Sequence, residues 1–366
     1  MCYHSKCINF VRINYISHTG MMEKKKIVFV VNPISGTQEK KSILKWIDER
    51  IDRSLYDYDI VKTEYAGHAT EIAAQAVKDQ VYMVVAIGGD GTVNEIARSL
   101  VHTQTTLGII PCGSGNGLAR HLRMPMDPKS AIDILNEGYR ICMDYGKINN
   151  QPFFCTCGVG FDAFVSLKFA DSGKRGLLTY LENTLHESLT YQPETYVIEN
   201  EEGTVKYNAF LIACGNASQY GNNAYITPQA SLKDGLMDVT ILEPFTVLDV
   251  PSLSFQLFNK TIDQNSRIKT MRTKKIKIHR SKPGVYHFDG DPIMGSQDLE
   301  VEIVPKALYV ISNKKRGKQE TSNLLQVISN YFSGLKPKGE EFLAKRQSHL
   351  FELNRTLLRK LSRKDN

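Results

Sequence analysis

Three glycine-rich turns, each at or within two residues of the end of a short apolar run, constrain the fold of this chain more than any other feature. The turns are Asn32–Gly36 after Ile27–Val31, Gly88–Thr92 after Val81–Ile87, and Gly113–Gly117 after Leu107–Ile110. Short β-branched runs of this kind are typical of strands buried on both faces of a parallel sheet. Apolar residues at helical spacing separate them, as at Ile43, Ile47 and Ile51. Strand and helix therefore alternate over 27–135, which predicts a doubly wound α/β domain.

The pattern changes after about Asp144, where apolar runs follow one another with few helical stretches between them. Consecutive strands indicate a mainly antiparallel domain, a β-sandwich or a barrel. The predicted strands are Phe153–Cys157, Tyr196–Ile198, Thr204–Cys214, Met237–Leu242, Lys274–His279, Val285–Phe288, Leu299–Val304 and Leu308–Ile311, with helices at Leu177–Leu189 and Val247–Phe258. We therefore predict a disordered extension at 1–22, an α/β domain at 23–143, a β-sandwich domain at 144–312, and a linker with a C-terminal helix at 313–366.

Charge and cysteine content exclude several classes of protein. The net charge of the 366 residues is +7, but the segment 336–366 holds nine Lys and Arg against four Asp and Glu, which is +5 of that total. The remainder is nearly neutral, so nucleic acid is not an expected partner. Seven scattered cysteines do not form a disulfide framework. No apolar run approaches the roughly 18–20 residues that span a bilayer. We expect a cytoplasmic protein.

The C-terminal basic segment is predicted to form an amphipathic helix. Leu350, Leu353, Leu357 and Leu361 repeat on one face, with Arg355, Arg359 and Lys360 around them. Such a helix could lie on the inner face of an anionic membrane. The same leucines could instead dock on the first domain of the chain, and a basic helix surface could simply be solvated.

The glycine turns predict an anion site. The carboxyl ends of parallel strands form the ligand crevice of such folds, and glycine lets backbone N–H groups approach a phosphate without a Cβ in the way. Side-chain donors accompany the turns at Ser35, Thr92, Ser114 and Asn116. A polyphosphate is the expected ligand. Asp90 is unusual here because its charge would repel phosphate, so it is expected either to bind magnesium or to accept a proton.

At these residues the chain resembles the diacylglycerol kinase catalytic-domain family, which includes bacterial lipid kinases and sphingosine kinases. The stretch GGDGTVNE, Gly88–Glu95, carries the resemblance, and the segment Thr63–Ala69 matches a second motif of the family. The resemblance runs from about Lys26 to Ile311. It implies an NAD-kinase-like α/β nucleotide-binding domain, a C-terminal β-sandwich and ATP in the cleft between them.

The resemblance also implies the nucleotide site and a metal site. The implied ATP contacts are Asn32, Pro33, Ser35, Gly36, Thr63, Gly88, Gly89, Asp90, Gly91, Thr92, Val93, Asn94, Gly113, Ser114 and Asn116. Thr63 could instead be a plain strand-end or cap hydroxyl. The loop SLKDGL resembles one that holds a structural magnesium in bacterial members. That ion maps to the side chain of Asp234 and the carbonyls of Ser231 and Leu236, although Asp-Gly is also an ordinary turn pair.

A second acidic motif, Phe288–Pro292, stands at the family's Asp-Gly-Glu position and implies the catalytic residues. Asp291 is the predicted general base, with Asp289 orienting and Asp90 as the alternative base. On a regular strand, Asp289 and Asp291 would point the same way. Asp291 replaces the usual Glu, so its reach is shorter.

The resemblance implies an ATP- and Mg²⁺-dependent lipid kinase acting on diacylglycerol or a related lipid at the membrane surface. The spelling PCGSGNG, Pro111–Gly117, makes a sphingoid base the alternative acceptor. A soluble-substrate kinase of the NAD kinase type is more distant. A non-catalytic nucleotide- or lipid-binding protein would show decayed glycine turns, whereas all three are intact. A homodimer is compatible with the sequence.

Overall fold

The computed structural model describes residues 23–36, 40–172, 191–246 and 248–314. The predicted extension at 1–22, the predicted helix Leu177–Leu189 and the predicted C-terminal helix lie outside these residues and stay predictions. Within the described ranges, no helix is both long enough and apolar enough to cross a bilayer.

The first half alternates strands and helices, as the glycine turns and apolar runs predict. Its elements are β1 (Lys25–Val31), α1 (Lys40–Arg50), β2 (Tyr56–Lys62), α2 (His68–Lys78), β3 (Met83–Gly88), α3 (Asp90–Leu100), β4 (Thr106–Pro111), α4 (Gly117–His121) and α5 (Pro128–Glu137). The strands β2, β1, β3 and β4 pair side by side and run parallel. The α/β prediction is confirmed.

The second half consists mainly of strands. They are β5 (Arg140–Ile148), β6 (Gln151–Phe153), β7 (Thr156–Gly160), β8 (Glu194–Asn200), β9 (Gly203–Ala209), β10 (Leu211–Gly215), β11 (Met237–Leu242), β12 (Ile268–Thr273), β13 (Lys275–Arg280), β14 (Gly284–Phe288), β15 (Asp291–Gly295) and β16 (Asp298–Ile311). The helices among them are α6 (Phe161–Ser172) and α7 (Val250–Phe258), with a short 3-10 helix at Ile262–Gln264.

Two sheets organise these strands. Ten strands form one sheet, in the order β2-β1-β3-β4-β16-β13-β8-β9, with β5 pairing to β16 and β6. Six strands form the other, in the order β12-β11-β10-β7-β14-β15, and its neighbours are antiparallel. The predicted border between residues 143 and 144 falls inside β5. The predicted sandwich is confirmed, and one of its layers continues the sheet of the first half.

The six-stranded sheet is apolar on both faces, because its residues alternate between two cores. Ile212 and Cys214 of β10 pack in the core between the two sheets. Their neighbours Leu211 and Ala213 pack instead in a third cluster with residues of α6 and α7. The period of two in a strand explains this division. The sheet is therefore covered by the ten-stranded sheet on one side and by helices on the other.

Several predicted strands differ from the observed ones at points where the chain changes partners. The predicted strand Thr204–Cys214 is divided at Phe210, where the chain passes from the ten-stranded to the six-stranded sheet. The predicted strands at 299–304 and 308–311 are one strand, β16, whose register against β5 shifts between Val304 and Leu308. The predicted strand Phe153–Cys157 is interrupted at Phe154 and Cys155. The strands β5, β12 and β15 were not predicted from the sequence.

His121 connects α4 to the segment that follows β10. The backbone N–H of Ser218 donates to His121 Nδ1 at 2.9 Å, and Ser218 Oγ lies 2.9 Å from the same nitrogen. An Nδ1 that accepts an N–H bond carries no proton, so the imidazole is neutral in this arrangement. Burial lowers the pKa of His121 to about 4, and the charges of Lys260 and Arg123 add to that effect.

We expect the free energy of unfolding to fall as the pH drops from about 6.5 toward 4. The unfolded chain protonates His121 near pH 6.5 and the native state only near pH 4, so the unfolded state binds more protons in this window. The contribution is roughly 2–3 kcal/mol, since each pKa unit is worth about 1.4 kcal/mol and the ring keeps some solvent contact. Urea unfolding at several pH values measures it. His121→Asn keeps an acceptor for Ser218 and should remove this part of the pH dependence; an unchanged pH profile would contradict the assignment.

Candidate active site

The first and third glycine turns pack directly against one another at the carboxyl edge of the parallel strands. Gly36 has φ +63°, and a Cβ on it would lie 1.7 Å from the carbonyl oxygen of Cys112. Asn32 Nδ2 donates to Thr92 Oγ1 at 3.1 Å, which joins the first turn to the second. Ser35 Oγ donates to the carbonyl of Asn32 at 3.0 Å and closes the first turn. The predicted phosphate-binding turns therefore form one continuous surface.

Asp90 holds the second turn against the third. Its Oδ2 accepts the backbone N–H of Asn116 at 2.8 Å, and its Oδ1 accepts that of Gly117 at 2.7 Å. These N–H groups begin α4, where no intrahelical acceptor exists for them. Burial raises the pKa of Asp90, and the two N–H bonds oppose that rise. From the sequence, Asp90 was expected to bind magnesium or to accept a proton. In the structure, its carboxylate joins the second and third glycine turns.

The other predicted nucleotide residues lie along the same edge. Asn94 and Ser114 line a cavity there together with Asp90. Asn116 has φ +53°, accepts from the N–H of Gly113 at 3.0 Å and donates to its carbonyl at 2.7 Å, which closes the third turn. Thr63 follows β2, and its backbone N–H donates to Val31 at 2.9 Å. The structure thus brings the predicted residues together, and their contact with ATP stays a prediction.

The glycines of the second turn differ in what surrounds them. A Cβ on Gly89 would lie 3.2 Å from the Cα of Gly113, so this position is tight within the protein itself. A Cβ on Gly91 would meet no heavy atom within 4 Å. Gly91 is also the second residue of α3, where the first N–H groups of a helix are free to bind an anion. Among the three glycines of the second turn, only Gly91 has open space at the position of an added Cβ.

Asp289 occupies a tight turn between β14 and β15. Asp289 and Gly290 have φ +51° and +88°, and Phe288 pairs with Asp291 across them, so the pair forms a two-residue hairpin turn. The carboxylate of Asp289 accepts three backbone N–H bonds, from Phe154 at 2.7 Å, Cys155 at 2.7 Å and Thr156 at 3.0 Å. These bonds interrupt the predicted strand Phe153–Cys157, because its N–H groups turn toward the carboxylate.

Burial raises the pKa of Asp289 to about 6, and the three N–H bonds limit the rise. The nearby charge of Asp90 contributes to this rise. Asp90 of α3 and Asp289 of the β14–β15 turn therefore lie close enough at the cavity for the charge of Asp90 to disfavour ionisation of Asp289.

Asp291 lies on the other side of the hairpin turn. The expectation that Asp289 and Asp291 point the same way on one strand is wrong, because the turn separates them. The side chain of Asp291 is 61% exposed and lies 3.4 Å from Arg98 Nη2 of α3, whereas Asp289 points into the protein. Asp291 thus stands at the cavity wall with its carboxylate toward solvent.

Two buried side chains that sequence reasoning left without a clear role support this hairpin. His287 Nε2 lies 3.0 Å from Asp162 Oδ2, and Tyr220 Oη donates to the same oxygen at 3.2 Å. The N–H of Gly290 points to His287 Nδ1 at 3.4 Å. Asp162 is the second residue of α6 and lies two residues after Gly160, which ends β7. The only sequence signal that could have pointed to Asp162 was its position two residues after Gly160.

Part of this edge borders one cavity of about 600 Å³, whose lining includes residues of the second and third glycine turns and of the β14–β15 hairpin. At one end lie the acidic groups Asp90, Asp162, Asp289 and Asp291 with Asn94 and Ser114. The remaining wall is mainly aliphatic and aromatic, from the cluster that α6 and α7 form on the six-stranded sheet. The cavity therefore joins a polar end at the glycine turns to an apolar interior, which we call the apolar chamber.

The loop after residue 230 lies apart from these groups. Asp234 forms an ion pair with Arg272, and its Oδ1 accepts the N–H of Leu236 at 3.2 Å. Arg272 thus supplies a positive charge beside the carboxylate that the sequence assigned to magnesium. Among the described residues, no group of three or more His, Cys, Asp or Glu side chains is arranged to hold a metal ion. The site at Ser231, Asp234 and Leu236 stays a prediction, and we assign it no chemical role.

Comparison with known families agrees with this arrangement. The model of the diacylglycerol kinase catalytic domain matches residues 26–148, and that of the YegS C-terminal NAD kinase β-sandwich-like domain matches residues 155–312. The chain belongs to the diacylglycerol kinase catalytic-domain family. The first match ends with β5, at residue 148, and the second begins just after β6, at residue 155. The two family models therefore meet where the first half of the chain leads into the sandwich.

Relatives with lipid kinase names cover most of the chain. One from Streptococcus pneumoniae is 27% identical over 296 residues, which is 80% of this chain and 99% of that protein. YegS of Escherichia coli O17:K52:H18 is 29% identical over 249 residues, 66% of this chain and 82% of that protein. A solved structure titled as a diacylglycerol kinase of Bacillus anthracis is 20% identical with a TM-score of 0.64, and covers 79% of this chain and 97% of that one. That likeness shows the fold.

We expect Gly91→Ala to weaken ATP binding without unfolding the protein. The added methyl group meets no protein atom, so any loss comes from the approach of the phosphates to the first N–H groups of α3. Charge-assisted hydrogen bonds are worth about 1.5–3 kcal/mol, which corresponds to roughly 10–100-fold in the dissociation constant. Calorimetric titration with ATP measures it.

Gly36→Ala is the matched control, because its Cβ collides with Cys112 and its φ is positive. This variant should lower the free energy of unfolding, which Gly91→Ala should leave unchanged; only stability is compared, because Gly36 is itself an implied ATP contact. A folded Gly91→Ala protein that binds ATP as tightly as the wild type would contradict the assignment of the phosphate site to the first N–H groups of α3.

Proposed function

We propose that this protein is an ATP-dependent lipid kinase whose acceptor is the hydroxyl group of diacylglycerol or a closely related lipid. The observation that supports it is the single cavity with two chemically different ends. A polar end at the glycine turns suits the phosphates of a nucleotide, and the apolar chamber suits hydrocarbon. The hydroxyl group of the acceptor would lie where the polar end meets the apolar chamber, between the nucleotide phosphates and the hydrocarbon chains.

Magnesium fits the polar end by the chemistry of its side chains. Asp90, Asp289 and Asn94 offer oxygen atoms of the kind that magnesium prefers, but the described acidic side chains do not by themselves form a group of three that could hold a metal ion. These residues would hold the ion together with the phosphates. When bound, magnesium would neutralise charge on the transferring phosphoryl group.

Asp291 is the proposed general base. The acceptor oxygen forms a bond to the γ-phosphorus while the bond from that phosphorus to the bridging oxygen of ADP breaks, and the hydroxyl proton passes to Asp291. Asp291 suits this role because it borders the cavity with an exposed carboxylate, which lies 3.4 Å from Arg98 Nη2. Both oxygens of Asp90 and of Asp289 already accept backbone N–H bonds. Asp289 is a positioning residue, since it fixes the turn that carries Asp291.

A sphingoid-base acceptor was favoured by the residue sequence PCGSGNG, Pro111–Gly117, and that sequence has another explanation. Asn116 in the sequence PCGSGNG closes its own turn through two bonds to Gly113 and begins α4, so a local structural need explains it. A protein that binds without catalysis is countered by the intact turns and by the exposed carboxylate at the cavity. Diacylglycerol therefore remains the first acceptor to test.

Incubation with radiolabelled ATP and separate dispersions of diacylglycerol and sphingosine, followed by thin-layer separation, tests the proposal. We expect labelled phosphatidic acid. Val165→Phe adds bulk to the apolar chamber from α6 and should raise the KM for a long-chain diacylglycerol more than for a short-chain one. Val205→Phe, at a half-exposed position on β9, is the matched control. Label on sphingosine alone, or on neither lipid, would refute the proposed acceptor.

We expect Asp291→Asn to lower kcat by roughly 10²–10⁴ while leaving ATP affinity almost unchanged, because it keeps the shape of the side chain and removes its basicity. Asp291→Glu should retain substantial activity. Steady-state kinetics and ATP titration separate the two effects.

Asp90→Asn is a necessary comparison, since it places an amide N–H against the N–H of Asn116 or Gly117. It should impair ATP binding and folding as well as turnover. If Asp291→Asn turns over near the wild-type rate while a folded, ATP-binding Asp90→Asn is inactive, Asp90 is the base.

A further inference from the structure

Asp162 of α6 and His287 of β14 form a buried polar pair in the wall of the cavity. His287 Nε2 lies 3.0 Å from Asp162 Oδ2. His287 is 2% exposed and Asp162 is 6% exposed, yet both residues border the cavity. Burying a histidine and a carboxylate is costly unless their polar atoms have partners. The partners of each atom therefore show what the pair is built to hold.

The bonds around His287 fix which ring nitrogen carries the proton. The backbone N–H of Gly290 donates to His287 Nδ1 at 3.4 Å, so Nδ1 is the unprotonated nitrogen. The proton of the neutral ring is then on Nε2, which donates it to Asp162 Oδ2. Tyr220 Oη donates to the same oxygen at 3.2 Å, and Asp162 Oδ1 accepts the N–H of Ala163 at 2.8 Å. In these bonds Asp162 is always the acceptor, and it therefore holds His287 in the Nε2–H tautomer.

A glycine opposite His287 makes room for this contact. Gly158 of β7 is the register partner of His287 on β14. A Cβ on Gly158 would lie 2.4 Å from Asp162 Oδ2 and 3.1 Å from His287 Nε2. Any other residue at this position would therefore push the carboxylate and the ring apart. The absence of a side chain on Gly158 thus lets α6 and β14 meet through this pair.

The bond from Gly290 connects the pair to the hairpin turn that precedes Asp291. Of the two turn residues, Asp289 is held by the three N–H bonds to its carboxylate. Gly290 has φ +88°, and a Cβ on it would meet no heavy atom within 4 Å, so no neighbour packs at that position. Its N–H reaches the protein interior through His287. Because Asp291 follows directly, the direction of its carboxylate depends on this turn.

We propose that Asp162 and His287 are positioning residues that place the carboxylate of Asp291 for the reaction. Asp162 keeps the proton of His287 on Nε2, the unprotonated Nδ1 fixes the N–H of Gly290, and the fixed turn presents Asp291 at the cavity. This inference rests on the proposed function, in which Asp291 accepts the proton of the lipid hydroxyl. Asp162 and His287 act through the turn, and neither exchanges a proton with the lipid.

The bonds of His287 argue against a role as the proton acceptor itself. Nδ1 already accepts an N–H and Nε2 already carries a proton, so neither nitrogen is a free acceptor. A purely structural pair is the other alternative. The two differ in which ring nitrogen matters, because stability depends on both bonds of the ring, whereas the position of the turn depends on Nδ1.

Two substitutions of His287 in the full-length chain separate its two bonds. The side-chain oxygen of Asn can replace Nδ1 and accept from Gly290, and the side-chain N–H of Gln can replace Nε2 and donate to Asp162. We expect His287→Gln to lower kcat with diacylglycerol roughly 10–100-fold at an unchanged KM for ATP, since small displacements of a catalytic group have effects of that size. His287→Asn should keep kcat close to that of the wild type. Each variant loses one ring bond, so both should unfold at similar urea concentrations.

The double variant Asp162→Asn/His287→Asn gives a sharper test. Asp162→Asn alone turns an amide N–H toward Nε2, which moves the ring proton to Nδ1 and sets it against the N–H of Gly290. We expect kcat to fall as in His287→Gln. Adding His287→Asn restores an acceptor for Gly290 that does not depend on Asp162, so the double variant should regain most of the lost kcat. A purely structural pair predicts the opposite, since the second substitution would add to the loss from the first.

An Asp291→Asn background connects the effect to the proposed base. If His287 acts through Asp291, His287→Gln should lower kcat no further once Asp291→Asn has removed the base. Additive losses from the two substitutions would show that His287 acts elsewhere in the protein and would overturn the proposal.

Nuclear magnetic resonance of the ¹⁵N-histidine-labelled protein supplies a readout that does not require activity. The nitrogen shifts of His287, whose signals disappear in His287→Asn, distinguish protonated from unprotonated ring nitrogens. We expect the Nε2–H tautomer in the wild type and the Nδ1–H tautomer in Asp162→Asn. The amide of Gly290 should exchange its hydrogen faster in Asp162→Asn and His287→Gln than in the wild type or His287→Asn.

The readouts separate this proposal from the proposed function. A wild type that phosphorylates no lipid but shows the change of tautomer and the faster exchange at Gly290 would refute the kinase and retain the connection from Asp162 to the turn. An active kinase in which His287→Gln and His287→Asn have equal kcat would retain the kinase and overturn the positioning role. A wild-type His287 protonated on Nδ1 would overturn it whatever the activity.

Discussion

The three hydrogen bonds to the carboxylate of Asp289 connect the parts of the molecule that meet at the cavity. They tie the β14–β15 hairpin to the interrupted segment between β6 and β7, which in turn follows β5 of the larger sheet. Each N–H would otherwise be an unpaired donor in a part-buried position, at a cost of about 1–3 kcal/mol. The ionised carboxylate is the acceptor that satisfies all three, and the burial that this needs raises its pKa to about 6.

Asp90 follows the same logic on the other side of the cavity. Its carboxylate satisfies the first N–H groups of α4 and thereby fixes the distance between the second and third glycine turns. Each of these two carboxylates organises backbone, and each raises the energetic cost of ionising the other. A cation at the polar end would relieve that repulsion. With the proposed magnesium bound, the same negative charge would serve both the structural and the proposed functional role of these residues.

The sequence predicted the positions of the glycine turns and the parallel strands because these depend on local patterns. Buried strands of this kind are apolar throughout, and glycines follow where the backbone must turn closely. It could not predict that Asp289 and Asp291 lie on opposite sides of a hairpin turn. A strand and a tight turn are equally compatible with the letters FDGDP, and the positive φ of Asp289 depends on contacts with residues more than 130 positions away. The break at Phe154 and Cys155 has the same cause.

The apolar chamber was also beyond the sequence, for a different reason. Leu211 and Ala213 of β10 are as apolar as Ile212 and Cys214, so the pattern indicates burial on both sides without saying by what. On one side the ten-stranded sheet packs against these residues, and the core between the two sheets is filled. The other is closed by α6 and α7, which leave space, and the absence of charge along α7 is readable from the sequence but has no meaning until the cavity behind it is known. An uncharged helix over a full core would be a packing element, whereas over an open chamber the same helix forms an apolar wall of the cavity.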